Sequence, residues 1–403
     1  MANKAYNGLD RKYRIACLVS HPVQYRSPLF KKLAKHPNID LTVLYCSDEG
    51  LKSTKDVDFG VIFKWDIPLL EGYNYKFLKN YSFQKTVFKW PFGLINLGVI
   101  NELTRKNYDF VIIISRQYIT HMIAFFSARL NGVKILYLEE TPLNQEIARP
   151  RWKLNIKKIW LWILFSMVDG FLAIGKENRK FYRFYNQNSS KIFFAPYSID
   201  NDRFIKCNNM PDESRSGLKE KLRIGADKKV ILFCGKLISK KRPMILLKAY
   251  EKLNIKNKSL IFVGDGKLKP ELENYVRNNK IMDVHFAGFK NQSEIPEYYA
   301  VADVFVLPSG YGETWGLVVN EAMCFKLPII VSCVAGCSSD LVKHGGNGFI
   351  LKDESVEELC HYLTKSLADD IARKQMGEKS FDMINKWSFE EDVKGIVSAI
   401  ESI

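Results

Sequence analysis

Two glutamates and two lysines are the residues of this chain whose types and spacing can do chemistry. Glu313 and Glu321, with seven residues between them, lie in the stretch VFVLPSGYGETWGLVVNE, Val304 to Glu321. Val304 to Leu307 has the length and β-branched content of a buried strand. Pro308, Ser309, Gly310 and Gly312 then break it, and an apolar, helix-like segment starts near Gly316. Strand, glycine-containing loop and helix in that order bring free backbone N–H groups and the positive helix end to the mouth of a parallel sheet, which suits an anion. Glu321 falls inside a helix that is apolar nearly all round and so buried. A buried carboxylate without partners is costly, so Glu321 should meet hydrogen-bond donors, and sugar or ribose hydroxyls would serve.

The lysines, Lys236 and Lys241, lie in GKLISKKRP, Gly235 to Pro243, directly after the apolar run Val230 to Cys234. Cations beside a glycine turn can hold an anion. A lysine-rich loop that is merely solvated would have the same composition.

The elements that must position these residues read as an alternation of strands and helices. In the first half, strands are expected over Tyr13 to Ser20, Leu41 to Cys46, Asp109 to Ser115, Val133 to Leu138, Val168 to Ile174 and Lys191 to Ala195. Helical patterns cover Pro28 to Lys35, Thr120 to Leu130 and Arg151 to Met167. After Val230 to Cys234, Ser259 to Val263 leads into Gly264, and Val284 to Ala287 leads into Gly288 and Phe289. The helical segments Ser355 to Leu367, Ile371 to Ile384 and Phe389 to Ile403 end the chain. The fold class is α/β, with doubly wound parallel sheets. Apolar periodicity lapses between Ala195 and Lys221, so 403 residues divide into a first domain over 1–200, a second over 201–385 and a closing helix over 386–403.

Ligands in open α/β sheets bind at the carboxyl ends of strands. The first such loop is HPVQYRS, His21 to Ser27, where His21 and Gln24 are candidate contacts, although His21-Pro22 suits a plain turn equally. LEETP, Leu138 to Pro142, offers Glu139 or Glu140 at another strand end. There is no GxGxxG turn and no GxxxxGK, which gives little support to NAD or P-loop chemistry. The eleven aromatics between residues 51 and 92 either cover a sheet edge or line a cleft.

Sixty basic against 44 acidic residues give a net charge of +16, which favours anionic partners. No zinc-knuckle, RNA-recognition or helix-turn-helix signature points to nucleic acid. The eight cysteines are scattered through apolar patterns, as reduced thiols of a cytoplasmic chain are. Residues 1–14 lack the apolar run of a signal peptide, and the longest apolar stretch, Ile159 to Met167, is too short to span a bilayer. In RWKLNIKKIWLWILF the basic residues and tryptophans suit an anionic membrane surface, so a peripheral location on the inner face of the membrane is one expectation. A buried helix with one solvated end is the other.

The whole passage ADVFVLPSGYGETWGLVVNEAMCFKLPIIVS resembles the EX7E region of glycosyltransferase family four, retaining enzymes with the GT-B fold, two Rossmann-like domains facing across a cleft. GKLISKKRP is similar to the family's GRL-x-x-x-KG loop, with Lys236 where Arg is common, Lys241 aligned to the Lys and Arg242 replacing the usual Gly. The resemblance implies that Gly235, Lys236 and Lys241 bind the donor diphosphate and that the strand ends at Gly264 and Phe289 lie beside the nucleobase. It further implies that Glu313 and the N–H groups of Thr314, Trp315, Gly316 and Leu317 hold the donor sugar and phosphates, while Glu321 holds the ribose. His21, Gln24 and Glu139 would face a glycan or lipid-linked acceptor, and this sequence has no His in its LEETP loop, where several relatives have one. Asp340 stands where Glu is common, and the last helix would cross back onto the first domain. Asp56 and Asp58 form a DxD, but not at the end of an apolar strand as the metal-binding version requires, so neither metal nor cofactor is expected. A nucleotide-sugar epimerase of the same fold and a non-catalytic basic surface-binding protein are the competing readings.

Overall fold

The computed structural model describes residues 12–56, 60–208, 212–353 and 355–403. Among the described residues of the first half, nine strands form: β1 (Tyr13–Val19), β2 (Ile39–Tyr45), β3 (Thr54–Lys55), β4 (Ile62–Phe63), β5 (Asn74–Phe77), β6 (Phe110–Ile114), β7 (Lys134–Leu138), β8 (Gly170–Ala173) and β9 (Ile192–Phe194). Seven of them make a parallel sheet in the order β5-β2-β1-β6-β7-β8-β9, and β3 pairs antiparallel with β4 as a separate ribbon. Strands such as β1 and β7 are buried on both faces, as a sheet with helices on each side demands, and their sequences are therefore continuous apolar runs rather than alternating ones.

The second half repeats the plan with β10 (Lys229–Cys234), β11 (Lys258–Val263), β12 (Val284–Gly288), β13 (Val304–Leu307), β14 (Ile329–Ser332) and β15 (Gly348–Leu351). They form a parallel sheet in the order β12-β11-β10-β13-β14-β15. In each sheet the first strand in the sequence lies inside the order, so the chain winds outward in both directions and leaves a crevice at the carboxyl ends of its central strands. The glycine and lysine loops leave from β10, β11 and β13, which are neighbours. The expected strands and helices are present to within a few residues. The passage after Ala195, expected as a linker, holds the helix Asn201–Asn208.

The two domains share an apolar cluster at their hinge, which includes Ile199, Phe204, Trp315 and Trp387. The rings of Trp315 and Trp387 lie 5.2 Å apart, and Asn201 Nδ2 donates to the carbonyls of Ile384 (3.1 Å) and Trp387 (3.2 Å). The last helix, Phe389–Ser402, packs against β8, β9 and the helix Ser27–Ala34. All eight cysteines are free thiols, and among the described residues no helix is long and apolar enough to cross a membrane.

Candidate active site

The floor of the site is made of glycines. Gly235 follows β10 and Gly264 follows β11, and these two backbones lie so close that a Cβ on Gly264 would sit 1.9 Å from the Gly235 carbonyl oxygen. Gly264 also has φ +135°, where side chains are strained, so both crowding and conformation call for glycine there. From this floor the short turn Ser239–Lys241 carries Lys241 to Glu313, and Nζ pairs with Oε2. Both side chains are nearly buried, 13% and 8% exposed. Burial would raise the Glu313 carboxyl, but Lys241 beside it, with Lys240 and Ser309, holds it below its ordinary value, so it stays ionised. Arg242 adopts the left-handed conformation (φ 52°, ψ 45°) that a glycine would take more readily.

Lys236 reaches the first domain instead, where both carboxylate oxygens of Asp56 lie 3.0 Å from its Nζ. Asp58, the other half of the DxD, lies outside the described residues. Next to this pair the β3–β4 ribbon lays Phe63 on Phe289, with ring centroids 4.4 Å apart and planes 28° from parallel. Asn291 Nδ2 donates to the Lys64 carbonyl at 2.6 Å. Part of the aromatic stretch thus covers the strand end at Phe289.

Helix Leu317–Cys324 starts from Gly316, whose φ is +101°. Among the described residues no hydrogen bond uses the N–H groups of Thr314, Trp315 or Gly316. The Trp315 side chain does not face the crevice: it is 2% exposed, and its Nε1 donates to Asn320 Oδ1 at 3.0 Å within the hinge cluster. Glu321 is fully buried, as the helix pattern demands, and protein hydroxyls meet it: Tyr299 donates to Oε2 at 2.7 Å and Tyr25, from the first domain, to Oε1 at 3.3 Å. Burial raises its pKa to about 7 against the lowering effect of those hydroxyls and Arg203. The donors that burial requires are therefore supplied by the fold, and burial alone does not call for a ligand there.

Across the crevice the first domain opens a cavity of about 940 Å³. His21, Gln24 and Glu139 all line it, and so does Thr314 from the second domain. Burial lowers the His21 pKa to about 4, so its imidazole is neutral at neutral pH, and its Nδ1 lies 3.0 Å from Ser20 Oγ. Glu139 accepts from Tyr137 (2.7 Å) and Thr141 (2.6 Å) and pairs with Arg116; Glu140 pairs with Arg26 at 2.9 Å. His121 is fully buried on the helix Ile119–Leu130.

The model of the family described as glycosyl transferases group 1 matches residues 214–383, the part that holds Lys236, Lys241, Glu313 and Glu321. The chain carries a glycosyl transferases group 1 domain. An uncharacterized glycosyltransferase of Methanocaldococcus jannaschii is 27% identical over 228 residues, 56% of this chain and 64% of that protein. Spore coat protein SA of Bacillus subtilis is 31% identical over 163 residues, 38% and 43% of the two chains. The alignments thus span less than two thirds of the first relative and under half of the second. In three dimensions, Anabaena HepE in complex with UDP and glucose superposes with a TM-score of 0.72, covering 97% of this chain and all of that one at 17% identity. The fold is GT-B.

Two first-domain residues that touch the second domain beside these loops, Gln145 and Lys176, carry no sequence signal. Gln145 Nε2 donates to the carbonyls of Glu313 (2.7 Å) and Val334 (3.1 Å), and Gly312 N donates to Gln145 Oε1 at 3.2 Å. One amide side chain therefore holds the glutamate loop of the group 1 domain against the other domain. Lys176 N donates to Asp340 Oδ2 at 2.9 Å, which gives Asp340 a place in the same closed arrangement.

Proposed function

We propose that the protein is a retaining glycosyltransferase that moves a sugar from a nucleotide diphosphate donor to a hydroxyl of a glycan or lipid-linked acceptor, in cell-surface polysaccharide or glycolipid synthesis. One observation carries this reading. Thr314, next to Glu313 in the loop of the group 1 domain, lines the same cavity as His21, Gln24 and Glu139 of the other domain. A donor held by the loop would present its sugar to a group held in that cavity. UDP and glucose in the HepE complex are consistent with such a donor.

In this reading Lys236 and Lys241 hold the diphosphate, which takes the places of Asp56 and Glu313 at their ammonium groups. As the bond between the anomeric carbon and the phosphate oxygen breaks, the two lysines stabilise the charge that develops, without a metal ion. The acceptor oxygen forms its new bond on the face the diphosphate leaves, and its proton passes to the departing phosphate oxygen. Configuration is retained and no side chain acts as nucleophile. Glu313, released from Lys241, binds hydroxyls of the donor sugar. His21 is neutral and suits hydrogen bonding to the acceptor hydroxyl rather than pairing with an anion. Ribose hydroxyls reach Glu321 by displacing Tyr25, the more distant of its two donors.

Isothermal titration with UDP, GDP and ADP in the presence of EDTA tests the assignment. At least one should bind, and Lys241→Ala should weaken it by about 10- to 100-fold, the worth of a charge-assisted hydrogen bond. The matching nucleoside should be far less affected. Equal losses for both ligands, or no binding by the folded wild type, would overturn the donor site.

A further inference from the structure

The first domain carries an apolar face that the fold leaves uncovered. Helix Arg151–Ser166 buries Leu161, Leu164 and Phe165, yet Trp152 is 62% exposed, Ile156 62%, Ile159 67% and Ile163 43%. At 3.6 residues per turn the spacing of these four places them in one stripe, roughly opposite the buried three. A helix that only covers a sheet has one apolar face, and this one has two.

A second segment extends the surface. Phe83, Phe88 and Phe92 are all more than half exposed, and Trp90 beside them lines the cavity, as does Trp160 of the helix. Both apolar segments thus meet at the cavity mouth. Neither contains an acidic residue: from Tyr81 to Asn101 the charges are Lys85 and Lys89, and from Ile147 to Met167 they are three lysines and two arginines. The pattern belongs to one domain. Among the described residues after Phe204, only Met282, Tyr311 and Ile371 are exposed large apolar side chains.

We propose that this face seats the first domain on an anionic lipid bilayer, with Trp90 and Trp160 at the level of the headgroups, so that the cavity opens at the membrane surface. Aromatic and branched side chains enter the boundary between headgroups and acyl chains, and flanking lysines and arginines meet lipid phosphates. That the cavity receives the polar head of an amphiphilic acceptor rests on the function proposed above; the seating does not.

Cosedimentation with vesicles of phosphatidylglycerol mixed with phosphatidylcholine, against phosphatidylcholine alone, tests it. Wild type should sediment with the anionic vesicles and much less with the neutral ones, and salt should release it. The double variant Trp152→Ser, Ile159→Ser should bind at least tenfold more weakly. Lys153→Gln and Lys158→Gln should each cost about fivefold, on anionic vesicles only. Melting temperatures equal to wild type show that these surface variants fold. Wild type that stays in solution, or a double variant that sediments as wild type does, overturns the proposal. So does a wild-type dimer that the double variant abolishes, since a second copy would then cover the face. Nucleotide titration is independent of vesicles, so a failure here leaves the donor assignment standing, and the reverse.

Discussion

The buried Glu321 makes a prediction whose sign and size follow from its surroundings. Burial raises its pKa from 4.5 to about 7 in the folded protein. Above pH 4.5 the unfolded chain has lost this proton while the folded chain keeps it, so the folded state binds more protons and stability falls as pH rises. The loss is complete once the pH passes the folded value. Moving the carboxyl from 4.5 to about 7 corresponds to about 3 kcal/mol. Glu321→Gln removes the titration and retains an oxygen to accept from Tyr299. At pH 5 the variant should match wild type to within about 1 kcal/mol. At pH 8 it should be the more stable, by as much as about 3 kcal/mol, or about 6 to 12 °C in Tm if the second domain melts as a unit. Asp392, which burial also raises to about 7, and His21 and His121, which burial lowers, titrate in both proteins and cancel in the comparison. Calorimetry of the two proteins between pH 5 and 8 is the measurement. Parallel profiles would refute the reasoning, because they would mean that Glu321 is ionised in the fold at no cost.

Two further outcomes test the crevice. Gly264→Ala places a Cβ on the Gly235 carbonyl in a backbone conformation that disfavours side chains, so it should cost at least about 3 kcal/mol and abolish nucleotide binding; a variant with wild-type Tm would contradict the close approach. Gln145→Ala removes three hydrogen bonds between the domains, worth about 1 kcal/mol each, and should shift the ligand-free protein toward an open form with little change in Tm. An unchanged radius of gyration in small-angle X-ray scattering would count against that role.

The strands and their glycine turns were legible because parallel strands buried on both faces write themselves as short apolar runs with breaks. The Lys241 loop and the Glu313 loop were each legible for the same reason. Their direct ion pair was not, because it depends on β10 and β13 being neighbours in the sheet, an order that no local pattern encodes. The contacts of Tyr25 with Glu321, Asp56 with Lys236 and Gln145 with Glu313 join residues more than 160 positions apart, and each partner has an ordinary local sequence. The aromatic stretch before residue 93 was ambiguous because it lacks a period. It divides between the edge strand β5, the ribbon over Phe289 and the exposed face around Trp90.

The helix Phe389–Ser402 returns to the first domain, so the polypeptide passes between the two halves twice, and Asn201 on one passage is bonded to the carbonyls of Ile384 and Trp387 on the other. Two adjacent crossings act like a pair of straps on one edge of a box. They leave a single axis about which the halves can swing, and they resist twisting or sliding. Whatever enters between the sheets therefore meets the same facing residues each time the halves come together, and this repeatability comes from the path of the chain rather than from the ligand.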